Sequence, residues 1–278
     1  MIVTRFAPSP TGFLHLGHAL SAFNAWQRAR QGGGRFLVRL EDIDPGRCRP
    51  EYADAIREDL AWLGLDWDGP VRVQSQHLPE YQAVLDGLAE QGLAYPCFCT
   101  RAAIAREVAA SAAAPHGPDG APLYPGTCRC LSPTERADRI GAGERFALRL
   151  DMAAAVRPGL TYEEEGEGPV ACHPERFGDI VLARNDAPAS YHLCVTHDDT
   201  VQGVTLVSRA VDLKPATDLH RLLQALMGWP TPVYAHHRLL TDAAGRRLAK
   251  RDNAATLRSL RAEGVSARSI IERFGQSQ

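Results

Sequence analysis

The sequence predicts an α/β fold that contains a parallel sheet. Near the N-terminus, short segments rich in β-branched and aromatic residues alternate with segments of helical periodicity. A strand, a crossover helix and a second strand in this order favour parallel strands with right-handed connections. The loop after the first strand, which holds prolines, glycines and two histidines, lies where open α/β sheets bind phosphate-bearing ligands.

The N-terminal segment, residues 1–76, carries the first half of this pattern. The predicted elements are a strand over 2–6, a helix over 19–31, a strand over 35–40 and a helix over 51–63. Good helix-forming residues fill the first helix, and the three consecutive glycines after it are typical of a helix end. Apolar residues at helical spacing indicate the second helix.

The middle of the chain, residues 77–185, has a different composition and is predicted to be an α+β insertion. It contains a predicted helix over 81–91, an alanine-rich stretch and a long segment dense in proline and glycine. Strand-like runs follow over 145–151 and 179–183, and an acidic, glycine-rich hairpin or loop lies between them.

From residue 186 onward the α/β pattern returns. Strand-like runs with polar ends are predicted over 190–199 and 204–213, and a helix is predicted over 217–227. A polar loop and a final helical region are expected after them. The predicted domains are 1–76 with 186–235 as the core, 77–185 as the insertion and 236–278 as the C-terminal region.

The composition is ordinary for a globular protein: of 278 residues, 45% are apolar and 23% charged, with a net charge of −2. No apolar run approaches the roughly 18 to 20 residues that span a bilayer. The N-terminus also lacks a signal-peptide pattern, so we expect a cytoplasmic protein with no membrane partner. The near-neutral charge argues against non-specific coating of nucleic acid, although a local basic patch still permits RNA binding. Nothing in the sequence demands more than a monomer.

Two histidines in the first loop suggest a nucleotide site. The chain has neither a P-loop pattern nor a dinucleotide-binding fingerprint, so a phosphate site must be built from other hydrogen-bond donors. His15 and His18 supply imidazole N–H donors for phosphate oxygens, and Gly17 lets a ligand approach the backbone. The start of the following helix adds its positive end. The alternative is that both histidines only cap or pack the helix.

Four of the seven cysteines cluster in the insertion and indicate a metal site. Cys97 and Cys99 form one C-x-C pair, and Cys128 and Cys130 form another. Disulfides are not expected in a chain with an odd number of cysteines and no export signal. Two such pairs are compatible with tetrahedral zinc, and chemistry alone favours all four sulfurs. Buried free thiols are the alternative.

Four motifs, in order along the chain, resemble the class I glutamyl-tRNA synthetase family. They are RFAPSPTGFLHLGH at 5–18, RLEDID at 39–44, VSRAVDL at 207–213 and RLAKR at 247–251. The first is similar to the HIGH signature of that family, and the last resembles a divergent KMSKS loop. The resemblance runs through nearly the whole chain. It implies a Rossmann-like class I aminoacyl-tRNA synthetase core that makes an aminoacyl-adenylate from ATP and glutamate, with Mg²⁺ accompanying ATP.

The resemblance also implies roles for individual residues. The expected ATP-site residues are His15, Gly17, His18, Arg247 and Lys250. Of these, His15, His18 and Lys250 are expected to act in catalysis by stabilising phosphate charge. The expected glutamate-site residues are Arg5, Phe6, Ala7, Pro8, Ser9, Glu41, Tyr191 and Arg209. Arginine suits a carboxylate, and Glu41 is expected to take the ammonium.

The chain departs from the family pattern at three positions. Arg247 and Ala249 stand where the family commonly has lysine and serine, and Ala210 stands where glycine is usual. Arg247 keeps the positive charge. Ala249 lacks a hydroxyl, so a weaker phosphate contact is expected at that position, while Lys250 is retained.

Truncated members of this family carry a zinc site in the insertion, and the resemblance assigns the same site here. The implied ligands are Cys97, Cys99, Tyr124 and Cys128, with Cys130 and His116 as alternative fourth ligands. The spacing of Tyr124 and Cys128 fits the Y-x-x-x-C pattern of those relatives. The expected role is that of one structural Zn²⁺ that staples the insertion.

The chain ends shortly after Lys250. A short helical region similar to a stem-contact element is therefore expected, without the large anticodon-binding domain of the family. Truncated members esterify glutamate to the queuosine base at the wobble position of tRNA(Asp), which implies tRNA(Asp) carrying queuosine as the partner. The alternatives are a minimal glutamyl-tRNA synthetase that charges a tRNA 3′ end and a non-catalytic paralogue that binds RNA or nucleotide.

Overall fold

The computed structural model of the chain describes residues 1–110, 116–240 and 255–275. The strands of these residues are β1 (Val3–Phe6), β2 (Arg35–Leu40), β3 (Arg72–Val73), β4 (Ala94–Cys97), β5 (Ala147–Leu150), β6 (Thr161–Glu164), β7 (Gly168–Ala171), β8 (Val181–Ala183), β9 (Leu206–Ala210) and β10 (Val233–His237). The helices are α1 (Leu16–Gln31), α2 (Pro50–Trp62), α3 (Leu78–Glu90), α4 (Arg101–Ala110), α5 (Pro133–Gly141), α6 (Met152–Ala155), α7 (Tyr191–Val201), α8 (Thr217–Met227), α9 (Leu257–Ala262) and α10 (Ala267–Gly275). None of the described helices combines the length and the apolar character that a bilayer crossing requires.

A parallel sheet forms the centre of the molecule, as the sequence predicts. β1 pairs with β2 and β2 with β3, while β9 pairs with β10, all in parallel. The two groups of strands meet edge to edge, because the Thr205 N–H donates to the Val3 carbonyl at 2.9 Å. The order is therefore β3-β2-β1-β9-β10, and the direction of winding reverses between β1 and β9. In open α/β sheets a ligand crevice opens at such a switch point, beyond the carboxyl ends of the strands.

α1 packs against this sheet and begins at the loop that contains the two histidines. Its buried residues are Ala19, Leu20, Ala22, Phe23, Asn24, Ala25 and Ala29. The chain then returns to β2 through the three glycines that end the helix. A side chain at Gly34 would place its Cβ 1.9 Å from the Ile2 carbonyl oxygen, so only glycine fits at this close approach to the start of β1.

Residues 191–199 are helical, and the sequence-based prediction of a strand over 190–199 is wrong. α7 covers this segment, and the Ser190 side chain caps it by accepting a hydrogen bond from the Leu193 N–H. All residues from 193 to 199 are buried. Because a helix that is packed on nearly all sides shows no alternation of apolar and polar faces, periodicity cannot distinguish it from a buried strand.

The insertion contains a separate antiparallel sheet in the order β4-β5-β8. The acidic hairpin of β6 and β7 lies in the same part of the sequence but joins the other sheet, since Glu164 in β6 is opposite Tyr234 in β10. β10, which follows two prolines and ends in two histidines, is not predicted from the sequence. The pairing of β6 with β10 brings Glu164 towards the carboxyl end of the parallel sheet.

The described C-terminal residues, 255–275, pack back onto the core of the parallel sheet. Leu257, Ile270 and Phe274 belong to the same apolar cluster as residues of α1 and β2. The Phe274 and Phe23 ring centroids are 5.9 Å apart. The Leu257 N–H donates to the Leu14 carbonyl at 2.8 Å, immediately before the histidine loop. These helices therefore support the loop from behind.

Candidate active site and metal centre

A cleft of about 400 Å³ opens at the switch point of the sheet, at the carboxyl ends of β1 and β9. Every residue predicted for the glutamate site lines it: Arg5, Phe6, Ala7, Pro8, Ser9, Glu41, Tyr191 and Arg209. The predicted ATP-site residues His15, Gly17 and His18 line the same cleft. Arg247, Ala249 and Lys250 lie outside the described residues.

Arg5, in β1, is anchored in the cleft by a buried carboxylate. Its Nε donates to Asp199 Oδ1 at 2.9 Å, and Arg39 Nη1 donates to the same oxygen at 2.8 Å. Burial alone would raise the pKa of Asp199, but the two guanidinium groups outweigh it and lower the pKa below its ordinary value. Arg5 is therefore a fixed group of the cleft whose charge is already paired.

Glu41, which follows β2, is a buried carboxyl whose pKa is raised. Its Oε1 lies 3.4 Å from Arg39 Nη2, and the residue is 8% exposed. Burial raises the pKa of Glu41 to about 7, against the opposing effect of Arg39 and Arg5. A cation that enters beside it favours the ionised form, so this carboxyl is suited to bind a substrate ammonium.

Arg209, in β9, is held in the cleft by uncharged groups. Its Nε donates to His236 Nε2 at 3.2 Å, its Nη1 donates to His220 Nδ1 at 3.1 Å, and its Nη2 donates to Thr217 Oγ1 at 2.7 Å. Within the part of the chain that the structure describes, Arg209 forms no ion pair with a carboxylate. Its positive charge is therefore available to an anionic group in the cleft.

His15 and His18 cap α1 and stack on each other at its N-terminus. His15 Nδ1 accepts the Gly17 N–H at 3.1 Å, and His18 Nδ1 accepts the His15 N–H at 3.4 Å. The ring centroids are 3.8 Å apart, and a Cβ at Gly17 would lie 3.0 Å from the His15 ring. A neutral imidazole that accepts at Nδ1 carries its proton at Nε2. The two histidines can therefore cap α1 and bind an anion at the same time. The capping hydrogen bonds are made at Nδ1 and orient both rings, whereas the proton that an anion would accept is at Nε2.

Sequence reasoning missed the residues that hold these groups in place. They are Arg39, Asp198, Asp199, Thr217, His220 and His236. The signal that could have found some of them is a run of polar residues inside an otherwise apolar segment, such as His197, Asp198 and Asp199 in α7. Buried charged residues are almost always paired, so such a run indicates partners elsewhere in the fold.

A smaller hollow of about 230 Å³ adjoins the cleft. Ser9, Thr11, Glu41 and Tyr191 line both spaces. The other side of the hollow is formed by β8 and the turn after it, residues 181–190, where the insertion ends and the chain returns to the core. The cleft is therefore open towards the insertion, next to Glu41.

Cys97, Cys99 and Cys128 form a cluster of thiols in the insertion. Their Sγ atoms all lie within 4.8 Å of one another, and those of Cys99 and Cys128 are 3.4 Å apart. The Tyr124 hydroxyl lies 3.5 Å from Cys99 Sγ, and the Phe98 N–H donates to Cys128 Sγ at 3.4 Å. Three thiols and a phenol oxygen in mutual contact form a donor set that fits a four-coordinate Zn²⁺.

The two alternative fourth ligands lie away from this cluster. Cys130 is exposed, and neither Cys130 nor His116 joins the described thiols in a group that could hold a metal. The Arg149 guanidinium instead lies over the ring of Tyr124, 4.0 Å from its centroid, and fixes that side chain beside the thiols. The geometry therefore favours Tyr124 over Cys130 and His116.

The whole chain matches one family of known proteins. Residues 1–276 match the family described as tRNA synthetases class I (E and Q), catalytic domain. The chain is 48% identical to the Glutamyl-Q tRNA(Asp) synthetase of Rhodobacter capsulatus, over 99% of this chain and 100% of that protein. It is 46% identical to the Glutamyl-Q tRNA(Asp) synthetase of Nitratidesulfovibrio vulgaris, over 97% of this chain and 84% of that protein.

A solved structure agrees with this assignment. The glutamate-tRNA synthetase of Elizabethkingia anophelis matches 90% of this chain with a TM-score of 0.78 and 29% identity. The chain spans about half of that structure, 53% of its length. The chain therefore belongs to the class I tRNA synthetase (E and Q) catalytic-domain family, and it is a ligase with the α/β catalytic fold of that family.

Proposed function

We propose that this ligase activates L-glutamate with ATP and transfers the glutamyl group to the queuosine base at the wobble position of tRNA(Asp). The observation that carries the proposal is the cleft, where Arg209 and the histidine pair at the N-terminus of α1 face one space. An arginine suits a substrate carboxylate, and a helix N-terminus suits the phosphates of ATP. The choice of acceptor is supported by the names of relatives that match over nearly the full length of the chain.

In the proposed complex, Arg209 pairs with one carboxylate of glutamate and Glu41 pairs with its ammonium. The opposite charges of these two groups orient the amino acid in the cleft. Arg5, whose charge is paired with Asp199, donates its remaining N–H groups to the substrate. Residues 6–9 and Tyr191 complete the lining.

The first step forms glutamyl-adenylate. An oxygen of the glutamate α-carboxylate attacks the α-phosphorus of ATP, the bond from that phosphorus to the bridging oxygen breaks, and pyrophosphate leaves. His15 and His18 donate to phosphate oxygens together with the N-terminus of α1. Arg247 and Lys250 are assigned to the leaving pyrophosphate on their sequence motif. Mg²⁺, bound to ATP, neutralises part of the phosphate charge.

The second step transfers glutamate to the acceptor. A hydroxyl of the queuosine cyclopentenediol attacks the glutamyl carbonyl carbon, and the ester bond forms as the bond from that carbon to the phosphate oxygen breaks. AMP leaves, and the hydroxyl proton passes to a phosphate oxygen of the departing AMP. No protein nucleophile takes part, so the rate depends on positioning. The hollow beside Glu41 supports an approach of the acceptor from the side of the insertion. A monomer is proposed as the working unit.

We also propose that Cys97, Cys99, Tyr124 and Cys128 hold one structural Zn²⁺. The short distances between the thiols and the N–H···S bond from Phe98 support this donor set. The ion would tie the end of β4 to the loop before α5, and it takes no part in the reaction.

The acceptor is tested with radiolabelled glutamate, ATP, the purified protein and two pools of tRNA. One pool comes from cells that make queuosine and the other from cells that do not. We expect label only in the first pool, and nuclease cleavage should place it in the anticodon loop. Equal labelling of both pools would mean that a tRNA 3′ end is charged. No label in either pool, with no glutamate-dependent exchange between ATP and pyrophosphate, would mean a non-catalytic paralogue.

The glutamate site is tested with two arginine variants. Arg209→Ala should raise the KM for glutamate by at least about 30-fold, because loss of one partner of a buried charge pair costs about 2–5 kcal/mol. The KM for ATP should stay unchanged. Arg221→Ala is the control, since Arg221 lies on the neighbouring α8 and donates to the Thr161 carbonyl at 2.9 Å, outside the cleft. An unchanged KM for glutamate in Arg209→Ala would remove this residue from the pocket.

A further inference from the structure

The guanidinium of Arg209 is held at all three of its nitrogens by neutral acceptors. His236, His220 and Thr217 each accept one N–H, at 3.2, 3.1 and 2.7 Å. Arg209 is 5% exposed, His220 is 3% exposed and Thr217 is fully buried. Since a guanidinium has five N–H groups, two remain, one on Nη1 and one on Nη2. The cradle of His236, His220 and Thr217 therefore fixes the plane of the guanidinium and leaves a two-pronged donor.

The donors of Arg209 determine the tautomers of both histidines. His236 accepts at Nε2, so its proton is on Nδ1, which lies 2.7 Å from Glu164 Oε2. His220 accepts at Nδ1, so its proton is on Nε2, which lies 3.2 Å from His192 Nδ1. Burial, together with Arg209, lowers the pKa of His236 to about 3 and holds the pKa of His220 well below its ordinary value. Both imidazoles in the cradle are therefore uncharged acceptors at neutral pH.

A second cleft arginine, Arg5, is held in the opposite way. Arg5 Nε donates to the Asp199 carboxylate at 2.9 Å, and this contact compensates its charge inside the protein. Behind Arg209, the His236 ring separates the guanidinium from the Glu164 carboxylate. A direct carboxylate partner would compete with an anionic substrate, whereas a neutral acceptor orients the guanidinium without using its charge.

We propose that His220 and His236 are positioning residues that keep Arg209 an uncompensated cation, and that their neutrality makes the pocket select glutamate over glutamine. The inference rests on the proposed function and deepens it. A pocket whose cation lacks an internal partner favours a ligand that brings a negative charge, because an uncompensated buried charge is costly until the ligand pairs it. A neutral amide cannot supply that charge.

The test uses two variants that differ in charge but not in shape. His220→Asn keeps a neutral oxygen acceptor near the position of Nδ1, and His220→Asp puts a carboxylate there. The dissociation constants of glutamate and glutamine are measured by calorimetry on the full chain. We expect the dissociation constant of glutamate for His220→Asn to lie within about threefold of the value for the unchanged protein. His220→Asp should bind glutamate at least about tenfold more weakly than His220→Asn and lose much of the preference over glutamine. The KM for ATP should be equal in both.

A second pair of variants guards against misfolding at a buried position. Thr217 is the first residue of α8, where the helix dipole tolerates a negative charge, and its hydroxyl contacts Arg209 Nη2. Thr217→Asp should therefore bind glutamate more weakly than Thr217→Asn, as in the first pair of variants. Equal glutamate affinity within both pairs would overturn the inference. Failure of the unchanged protein to bind glutamate would instead overturn the proposed function, so the two failures are distinguishable.

Discussion

The parallel sheet and the tip of the insertion are stabilised in different ways. Around the sheet, eighteen buried apolar residues form one cluster that joins the strands, α1, α2 and the C-terminal helices. The tip, which we define as residues 97–99 and 124–131 around the thiols, shares a buried cluster of only five residues, and three of those are proposed metal ligands. An apolar cluster of that size offsets little of the chain entropy lost on folding. The sheet is therefore held by packing, and we propose that the tip depends on the zinc assigned to its thiols.

This division means that the two regions can be disturbed separately. A change in the thiol cluster should loosen the tip and leave the cleft intact. A change in the buried ion pairs of the sheet should destabilise the core and leave the metal in place. Each variant is therefore tested for its zinc content and for its stability, the latter by hydrogen exchange or by unfolding.

The largest expected effect is the loss of structure in the tip when Cys99 is replaced. Cys99→Ser removes one thiolate, so we expect the purified protein to lose most of its zinc and local protection in β4 and around 124–131 to fall towards zero. Protection in β1, β2 and α1 should persist. Cys172→Ser is the control, because Cys172 is a half-buried thiol outside the cluster. Full zinc content in Cys99→Ser would contradict the assignment.

The second effect concerns the sheet alone. Arg39 is fully buried and lies within ion-pair distance of Asp199, Glu41 and Asp198. Arg39→Met removes an ion-pair partner from all three carboxylates, although Asp199 keeps Arg5 and Asp198 keeps Arg72. Because these groups are buried, the free energy of unfolding should fall by about 3–5 kcal/mol. Arg28→Met, which breaks the exposed pair with Glu165, should cost no more than about 1 kcal/mol. Urea unfolding measures the free energy of both variants. Similar losses of free energy would mean that the buried ion pairs stabilise the sheet no more than the exposed pair does.

The same contrast explains which elements the sequence could predict. Residues 35–40 and 217–227 have the predicted structure over their full length, because local propensity and periodicity determine β2 and α8. α7 was predicted wrongly, since burial on nearly all sides removes periodicity. β10 was missed because its strand character comes from pairing with β9 and β6, which are distant in sequence.

The candidate site divides in a similar way. Arg5, Glu41 and Arg209 could be named from short motifs, and the structure brings them into one cleft. Their buried partners could not be named, because the fold supplies them from far away: Asp199 is 194 positions from Arg5 along the chain. For the same reason, no motif around His220 or His236 indicates their contact with Arg209. The thiols were visible as two C-x-C pairs, but their contact with Tyr124 depends on how the loop folds back.

A third variant tests the border between the tip and the antiparallel sheet of the insertion. Asp179, next to β8, accepts hydrogen bonds from the Tyr95 hydroxyl and the Met152 N–H, and its carboxylate lies 3.2 Å from Arg129 Nη1 of the tip. Asp179→Asn replaces one acceptor oxygen with a donor, so it should cost about 1–3 kcal/mol in unfolding free energy.

Asp186→Asn is the control for this border variant. Asp186 pairs with Arg184 at 2.9 Å in an exposed turn, so the change should cost less than about 1 kcal/mol. If Asp179→Asn also releases zinc, the tip depends on its contact with β8 as well as on the metal. If zinc stays bound while stability falls, the tip is independent of the antiparallel sheet at this border.

The smallest expected effect is a pH dependence of glutamate binding that arises in the sheet. Burial raises the pKa of Glu41 to about 7. The charged and titratable groups around it are Arg39, Arg5, Asp198, Asp199, Tyr191 and Cys194. Because the substrate ammonium pairs with the ionised carboxylate, the Kd of glutamate should rise by up to about tenfold for each pH unit below 7 and level off above it. Calorimetry without ATP measures this, since glutamate itself does not titrate near pH 7.

Glu41→Gln is the control, and its stability provides a second measurement of the same pKa. A carboxyl whose folded pKa is raised contributes most to stability below its ordinary pKa of 4.5, and that contribution is lost as the pH rises through about 7. Glu41→Gln should bind glutamate weakly at every pH, flatten the rise in Kd, and lose less unfolding free energy between pH 4.5 and 7 than the unchanged protein. Identical pH profiles in the two proteins would assign the titration to another group. Constant zinc content across the same range would place that group in the sheet, because protonation of the thiols would release the metal first.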